Sequence, residues 1–257
     1  GLELALTYRG ESGDWDYDVT GNLSVIRNEV TGLGEGGTPI STGGVFGAGN
    51  DFSAYTDIGL PMAVFYGYET AGIFQTDEEA TANMAQPDAV AGDVIFVDQN
   101  EDGVLDENDK TVIGNPHPDF IYGLTTNLKW KNFDLSLFIQ GSQGNDLFNG
   151  IFRYDLNTTN LPVSALERWT GEGSTNEHPR ITHTDANQNN RVSDRFVEDG
   201  SFLRLKNLQI GYNMPDRILE KMDLGKLRFY VSATNLLTFT KYTGLDPEIG
   251  SRGTLEI

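Results

Sequence analysis

The stretch Ile121-Tyr122-Gly123-Leu124-Thr125-Thr126-Asn127-Leu128-Lys129-Trp130-Lys131-Asn132-Phe133-Asp134-Leu135-Ser136-Leu137-Phe138-Ile139-Gln140 decides the fold. Tyr122, Leu124, Leu128 and Trp130 share one face, and after a Lys131-Asn132 turn so do Phe133, Leu135, Leu137 and Ile139. The opposite faces hold Thr125, Asn127, Lys129, Asp134, Ser136 and Gln140. Successive side chains of a strand point to opposite sides, so this period of two predicts a hairpin with one apolar and one polar face. Two surroundings accept such a sheet: a sandwich with one wetted face, or a membrane barrel whose polar face lines a lumen. Periodicity alone does not choose between them.

The same alternation recurs outward from this hairpin. Leu4, Leu6 and Tyr8 alternate with Glu3, Ala5 and Thr7, and Trp15, Tyr17, Val19, Leu23 and Val25 oppose Asp14, Asp16, Asp18, Thr20, Asn22 and Ser24. Glu11-Ser12-Gly13 turns between the two. Phe202 to Tyr212 and Leu227 to Ala233 alternate again, joined through Met214-Pro215 and a short helix at Asp216 to Met222. Between these strands, Thr31 to Gly49 is rich in Gly, Ser and Thr without a period and reads as a long loop. Ala63 to Phe74 is aromatic-rich, Asp77 to Met84 predicts a short helix capped by Thr76 or Asp77, and Gly92 to Val97 returns to strand. Asp155 to Asn190 reads as a second long loop, interrupted by Pro162, Gly171, Gly173 and Pro179, with a short helix at Val163 to Trp169. No fixed-period repeat and no domain boundary stand out.

Composition agrees with an all-β chain: 30 glycines and 11% aromatics without long apolar runs favour many short strands. The 18 basic and 38 acidic residues leave a net charge of -20, which disfavours nucleic acid or any other polyanion as a partner. The imbalance is local, because no Lys or Arg lies between Arg27 and Lys110 while 16 acidic residues run from Glu29 to Asp109. The absence of cysteine excludes disulfides, zinc-thiolate sites and thiol catalysis. No apolar run approaches the roughly 20 residues of a membrane helix, but a β-strand crosses in about 9 to 11 alternating residues. The opening Gly1-Leu2-Glu3-Leu4 is already strand-like and no signal peptide precedes it, so the true N-terminus is expected to be processed or to lie upstream.

One segment carries a chemical motif. Asp98-Gln99-Asn100-Glu101-Asp102-Gly103-Val104-Leu105-Asp106-Glu107-Asn108-Asp109 has the spacing of a calcium loop, with Asp98, Asn100, Asp102, Val104 (through its carbonyl), Asp106 and Asp109 as ligands. Calcium is a hard cation that takes six to eight oxygens, and Gly103 permits the sharp turn. Asp109 stands where Glu is usual, and Asp93 to Val97 reads as a strand, so the loop is EF-hand-like; with every carboxylate used as a ligand and no histidine or open position, the expected calcium is structural. The same residues also suit a metal-free Asp/Asn/Gly turn. His117, His178 and His183 read as surface residues, since the last two are five apart across Pro179 and not at helical zinc spacing. No nucleophile elbow or P-loop is present, so no catalytic residue is assigned and an enzyme is not expected. Phe65, Tyr66, Tyr68 and Phe74 suit sugar stacking, but a core or barrel-girdle role is the plainer account of most of them.

Several stretches in order resemble the SusC/RagA-like TonB-dependent transporters. They are Phe65-Tyr66-Gly67-Tyr68 with Gly72-Ile73-Phe74-Gln75, Gly92 to Asp98, the acidic loop, and Ile113-Gly114-Asn115-Pro116-His117-Pro118-Asp119-Phe120. Then come Gln140-Gly141-Ser142-Gln143-Gly144-Asn145-Asp146, Arg168-Trp169-Thr170, Val197 to Leu208, and Ser232-Ala233-Thr234-Asn235-Leu236-Leu237-Thr238-Phe239. The resemblance implies the C-terminal part of a 22-stranded antiparallel transmembrane barrel of the outer membrane, contributing six to eight strands, with plug and closing strand outside residues 1–257. It further implies active import of glycan or peptide oligomers without covalent chemistry. TonB would act through the N-terminal region, and a SusD-like surface lipoprotein would form the lid. The loops Thr31 to Gly59, Asp77 to Asp119 and Asp155 to Asp194 would then be extracellular, and outer-membrane lipid would cover the apolar strand faces. The alternative is a secreted, calcium-stabilised β-sandwich that binds carbohydrate.

Overall fold

The computed structural model describes residues 1–47, 51–153 and 160–248. The last two residues of the predicted Thr31 to Gly49 loop, the start of the Asp155 to Asn190 loop and the segment from 249 to Ile257 lie outside the described residues. In chain order the strands are β1 (Leu2–Ser12), β2 (Trp15–Val25), β3 (Ile40–Phe46), β4 (Asp51–Thr56) and β5 (Val64–Tyr68). There follow β6 (Thr70–Ile73), the helix α1 (Asp77–Ala82), β7 (Val94–Phe96), β8 (Lys110–Gly114), β9 (Phe120–Trp130) and β10 (Phe133–Gln143). The last are β11 (Asp146–Phe148), β12 (Val197–Asp199), β13 (Phe202–Asn213), the helix α2 (Asp216–Leu219) and β14 (Arg228–Thr240). The chain divides into two compact units: 1–27, 117–145 and 199–242 form the first, and the rest the second.

The first unit is an antiparallel sheet ordered β1-β2-β9-β10-β13-β14. Its register aligns the alternating patterns into rows. One apolar row runs Gly10, Tyr17, Leu128, Leu135, Ile210 and Val231 across the strands, and the next runs Ser12, Trp15, Trp130, Phe133, Tyr212 and Phe229. The aromatic row stacks side to side, with ring centroids 5.7 Å apart for Trp15 and Trp130 and 4.8 Å for Phe133 and Tyr212. Cross-strand aromatic pairs are a main source of sheet stability. This face is uncovered: Leu2, Leu4, Leu6 and Tyr8 are between 60% and 73% exposed.

The opposite face is polar and charged. Glu11, Asp16, Lys129, Asp134 and Gly211 align in one row, and Arg9 pairs with Asp18 at 2.7 Å in the next. The Arg228 guanidinium reaches across β13 to Asp134, which also accepts from Asn213 at 3.2 Å. Gly211 makes this crossing possible, because a Cβ there would collide with both the guanidinium and the carboxylate. These residues border a concave cleft of about 1040 Å³.

The second unit holds the buried core. Tyr68, Ile73, Val94 and Phe96 form one cluster with Leu105 and Trp169 against it. Phe46, Val192 and Phe196 form another with Ile113 and Phe148, and Phe74, Ala80 and Ala89 a third. Beneath them lies a polar network. Asp93 is 0% exposed, and its carboxylate accepts from Arg180 Nε at 2.7 Å, Asn189 Nδ2 at 2.8 Å and the Val90 N–H at 3.0 Å. Gln86 and Asn187 both donate to the Val94 carbonyl, at 2.9 and 3.0 Å. A buried charge costs several kcal/mol unless paired and hydrogen-bonded, and here both conditions are met.

Two readings are corrected. The stretch Thr31 to Gly49 contains β3, and Phe46 is a core residue. A bulge between Thr42 and Val45, at Gly43-Gly44, puts the strand out of phase and erases its period of two. The strand expected at Leu227 to Ala233 continues to Thr240, past a register shift opposite Leu205/Asn207 and a left-handed Asn235 at φ 51°. The α1 helix begins as predicted, with the Thr76 hydroxyl accepting from the Glu79 N–H at 3.2 Å.

Candidate functional site

The acidic loop bridges β7 and β8 within the second unit. Val97 is held to β6's neighbour by its N–H on the Glu69 carbonyl at 3.0 Å, and the chain then folds back through short side-chain-to-backbone bonds. Asp98 Oδ2 accepts from the Gly103 N–H at 2.8 Å, Asn100 Oδ1 from Asp102 N–H at 3.0 Å, and Asp102 Oδ1 from Val104 N–H at 2.9 Å. Gly103 takes φ +81°, the left-handed turn expected of it. At the far end, Asp106 caps the 3-10 turn Glu107–Asp109, and the fully buried Asp109 accepts from Asp106 N–H at 2.7 Å and Gln99 N–H at 2.9 Å. Asp109 thereby ties the two ends of the loop together.

Hydrogen bonds within the loop therefore occupy one oxygen of Asp98, Asn100 and Asp106 and both oxygens of Asp102 and Asp109. Among the described residues no group of three or more acidic or histidine side chains draws together as a ligand set. One atom stands apart: Asp98 Oδ1 is buried without a hydrogen-bond partner. A shielded carboxylate oxygen with no donor is an acceptor site that a hard cation satisfies. Val104 is exposed at 56%. His183 is exposed, whereas His117 and His178 are half-buried.

Lys110 follows the loop directly and was not singled out by its sequence. Its side chain is 7% exposed, and its ammonium lies 2.8 Å from Glu107 and 3.1 Å from Asp51 and sits over the Tyr68 ring at 5.4 Å. Burial alone would push its pKa down, but the Glu107 and Asp51 carboxylates outweigh burial and raise it above the ordinary lysine value. Burial likewise raises the Tyr68 phenol, against the opposing effect of Lys110 and Arg191. The loop is thus fastened to the strand β4 by an internal cation. A lone lysine ending an acidic run was the only signal in the sequence, and its partner Asp51 is remote in the chain.

A sheet of 11- to 13-residue strands, apolar on an uncovered face and polar on the other, with acidic loops between strands, defines the class: an all-β, antiparallel sheet of the kind that builds transmembrane barrels. No family model matches the chain. TonB-dependent receptor P3 of Formosa agariphila is 33% identical over 259 residues, 98% of this chain and 25% of that protein. TonB-dependent receptor SusC of Bacteroides thetaiotaomicron is 27% identical over 244 residues, 93% of this chain and 22% of that protein. Among solved structures, the RagAB peptide transporter superposes with a TM-score of 0.74 at 24% identity, over 96% of this chain and 26% of that one. The chain is a segment of a SusC/RagA-like TonB-dependent transporter. It spans about a quarter of the length of the curated relatives it matches. The sandwich fold falls, because the chain superposes over 96% of its length on the RagAB transporter.

Proposed function

We propose that the whole protein imports oligomeric nutrients, glycan or peptide, across the Gram-negative outer membrane. Energy would come through TonB, the lid would be a SusD-like surface lipoprotein, and no covalent chemistry is involved. The observation that carries this reading is the uncovered apolar face of the six-stranded sheet. The 11 residues of β1 rise about 33 Å at roughly 3.3 Å per step. Tilted by about 40°, that is about 25 Å, the height of the apolar band on a membrane barrel. The aromatic row at the short-turn end occupies the place of an interfacial girdle. The test is uptake of labelled oligomers by cells carrying the full-length gene, with and without a functional TonB. Accumulation that needs TonB is expected; accumulation indifferent to TonB overturns the proposal.

The acidic loop supports a structural calcium in the same protein. Asp98, Asn100, Asp102, Asp106, Asp109 and the Val104 carbonyl would hold it, and the unpartnered Asp98 Oδ1 is the observation that favours it over a bare turn. The ion would supply a fixed positive charge that stiffens this surface and lowers the ordering cost when a partner docks. Chelation of the purified full-length protein is expected to increase protease cleavage within 98–109 and to weaken lid binding. Unchanged cleavage and unchanged affinity would mean that the loop closes without metal.

A further inference from the structure

Residues 171–192 of the second unit form no helix or strand, yet they supply the hydrogen bonds that a neighbouring strand would. Ile73 and Val94 face each other in the β6–β7 ribbon, and each gives its N–H to an amide side chain of this strap: Ile73 to Asn176 Oδ1 at 2.9 Å, and Val94 to Asn189 Oδ1 at 2.8 Å. Where β5 passes into β6, the Tyr68 N–H donates to the Val192 carbonyl at 2.9 Å, and the Thr70 N–H and hydroxyl donate to Asp194 at 3.2 and 2.7 Å. In return the Arg180 N–H donates to the Gly92 carbonyl at 2.8 Å, and the Arg180 guanidinium grips Asp93. The seat is cut to fit, since a Cβ on Gly67 would collide with the Val192 carbonyl and one on Gly72 with the Asn176 amide.

We infer that this strap is an all-or-none latch: it stays seated, or it leaves β6 and β7 as a whole and takes their order with it. The reason is that its bonds converge on one buried carboxylate. Asn189 holds both the Val94 N–H and Asp93, and Asp93 also holds Arg180. Freeing one of these groups alone leaves the others buried and unpaired, the costliest arrangement a polar network has. Freeing all of them together admits water to each. The Trp169 ring, at the foot of the strap, packs on the cluster of Tyr68, Ile73, Val94 and Phe96, so full opening also uncovers the core that holds the ribbon. Since β7 runs through Val97 directly into the acidic loop, the latch sets the order of that loop's root. It does so with or without an ion in the loop.

The test is amide hydrogen exchange of the full-length protein in detergent, read in peptides covering the strap, β6 and β7, since segments that open as one unit exchange together. In the wild type, the bonded amides of Arg180, Ile73 and Val94 are expected to exchange at one common rate and to speed up in parallel as denaturant is added below the unfolding range. Strap amides that exchange while β6 and β7 stay protected would show that the strap opens alone, and the latch fails. Asn189→Ala removes the acceptor of the Val94 N–H and touches neither Ile73 nor Tyr68. It is expected to speed exchange at Ile73 and Tyr68 about tenfold, in step with Val94. A rise confined to Val94 overturns the inference. Glu177→Ala, at an exposed strap position, is expected to change these rates by less than about twofold. If it acts as strongly as Asn189→Ala, the buried network is not what holds the strap, and the inference fails. The wild-type arm decides the matter even where Asn189→Ala does not assemble.

Discussion

The two units solve the same problem, where to put apolar side chains, in opposite ways. In the second unit the buried clusters around Tyr68, Phe46 and Phe74 make a conventional core, and acidic residues outnumber basic ones by 27 to 7. The sheet of the first unit contains none of those clusters, turns Leu2, Leu4 and Leu6 outward, and balances 11 acidic residues with 11 basic ones. On the proposed function this is a difference of solvent: lipid would take the place of a core over the outward face of the sheet, and a net-neutral band suits that setting. The acidic unit suits water and loops.

The comparison breaks first at the ion pairs and outward leucines. Asp93→Ala leaves Arg180 and the surrounding amides without their acceptor in the core of the second unit. It is expected to cost about 3 to 5 kcal/mol, read as lost hydrogen-exchange protection in β6 and β7. A cost below about 1 kcal/mol would mean the network is wet. Leu6→Arg, in the middle of the outward face of β1, is expected to cost about 2 to 4 kcal/mol on refolding the full-length protein into vesicles. If refolding is unaffected, that face does not meet hydrocarbon.

Smaller effects sharpen the same contrast. Lys110→Met strands Asp51 and loosens the loop, at an expected cost of about 1 to 2 kcal/mol, measured by denaturant unfolding of the second unit. Because its pKa is raised on folding, Lys110 contributes its full stability below the ordinary lysine range and loses it as pH rises through the folded value. The wild-type protein should therefore lose stability more steeply at alkaline pH than the variant. Arg9→Met removes a pair whose side chains are 75% and 37% exposed, and the expected loss is under about 0.5 kcal/mol.

Legibility in the sequence followed the same division. The sheet strands β1, β2, β9, β10 and most of β13 were readable because each obeys a strict period of two and is long enough to show it. β3 was not, since Gly43-Gly44 inserts a bulge into a run of only 7 residues. The far half of β14 was hidden by the left-handed Asn235. At the candidate site, Gly103 and the Asx residues were visible through spacing alone, because every bond among them is local. The partners that fasten the loop were not: Lys110 meets Asp51 across 59 positions, and no local pattern encodes that meeting. The Asn187 and Asn189 amides looked like loop polarity until they proved to be 4% and 2% exposed.

By itself the sequence determined what depends on neighbours in the chain: alternation, turns, the α1 cap and the acidic loop. Tertiary structure decided which faces are covered, that apolar residues go inward in one unit and outward in the other, and which distant charges meet. The physical reason is that a period of two specifies two faces of a strand without specifying their surroundings, and surroundings are set only when strands from remote parts of the chain pair in register.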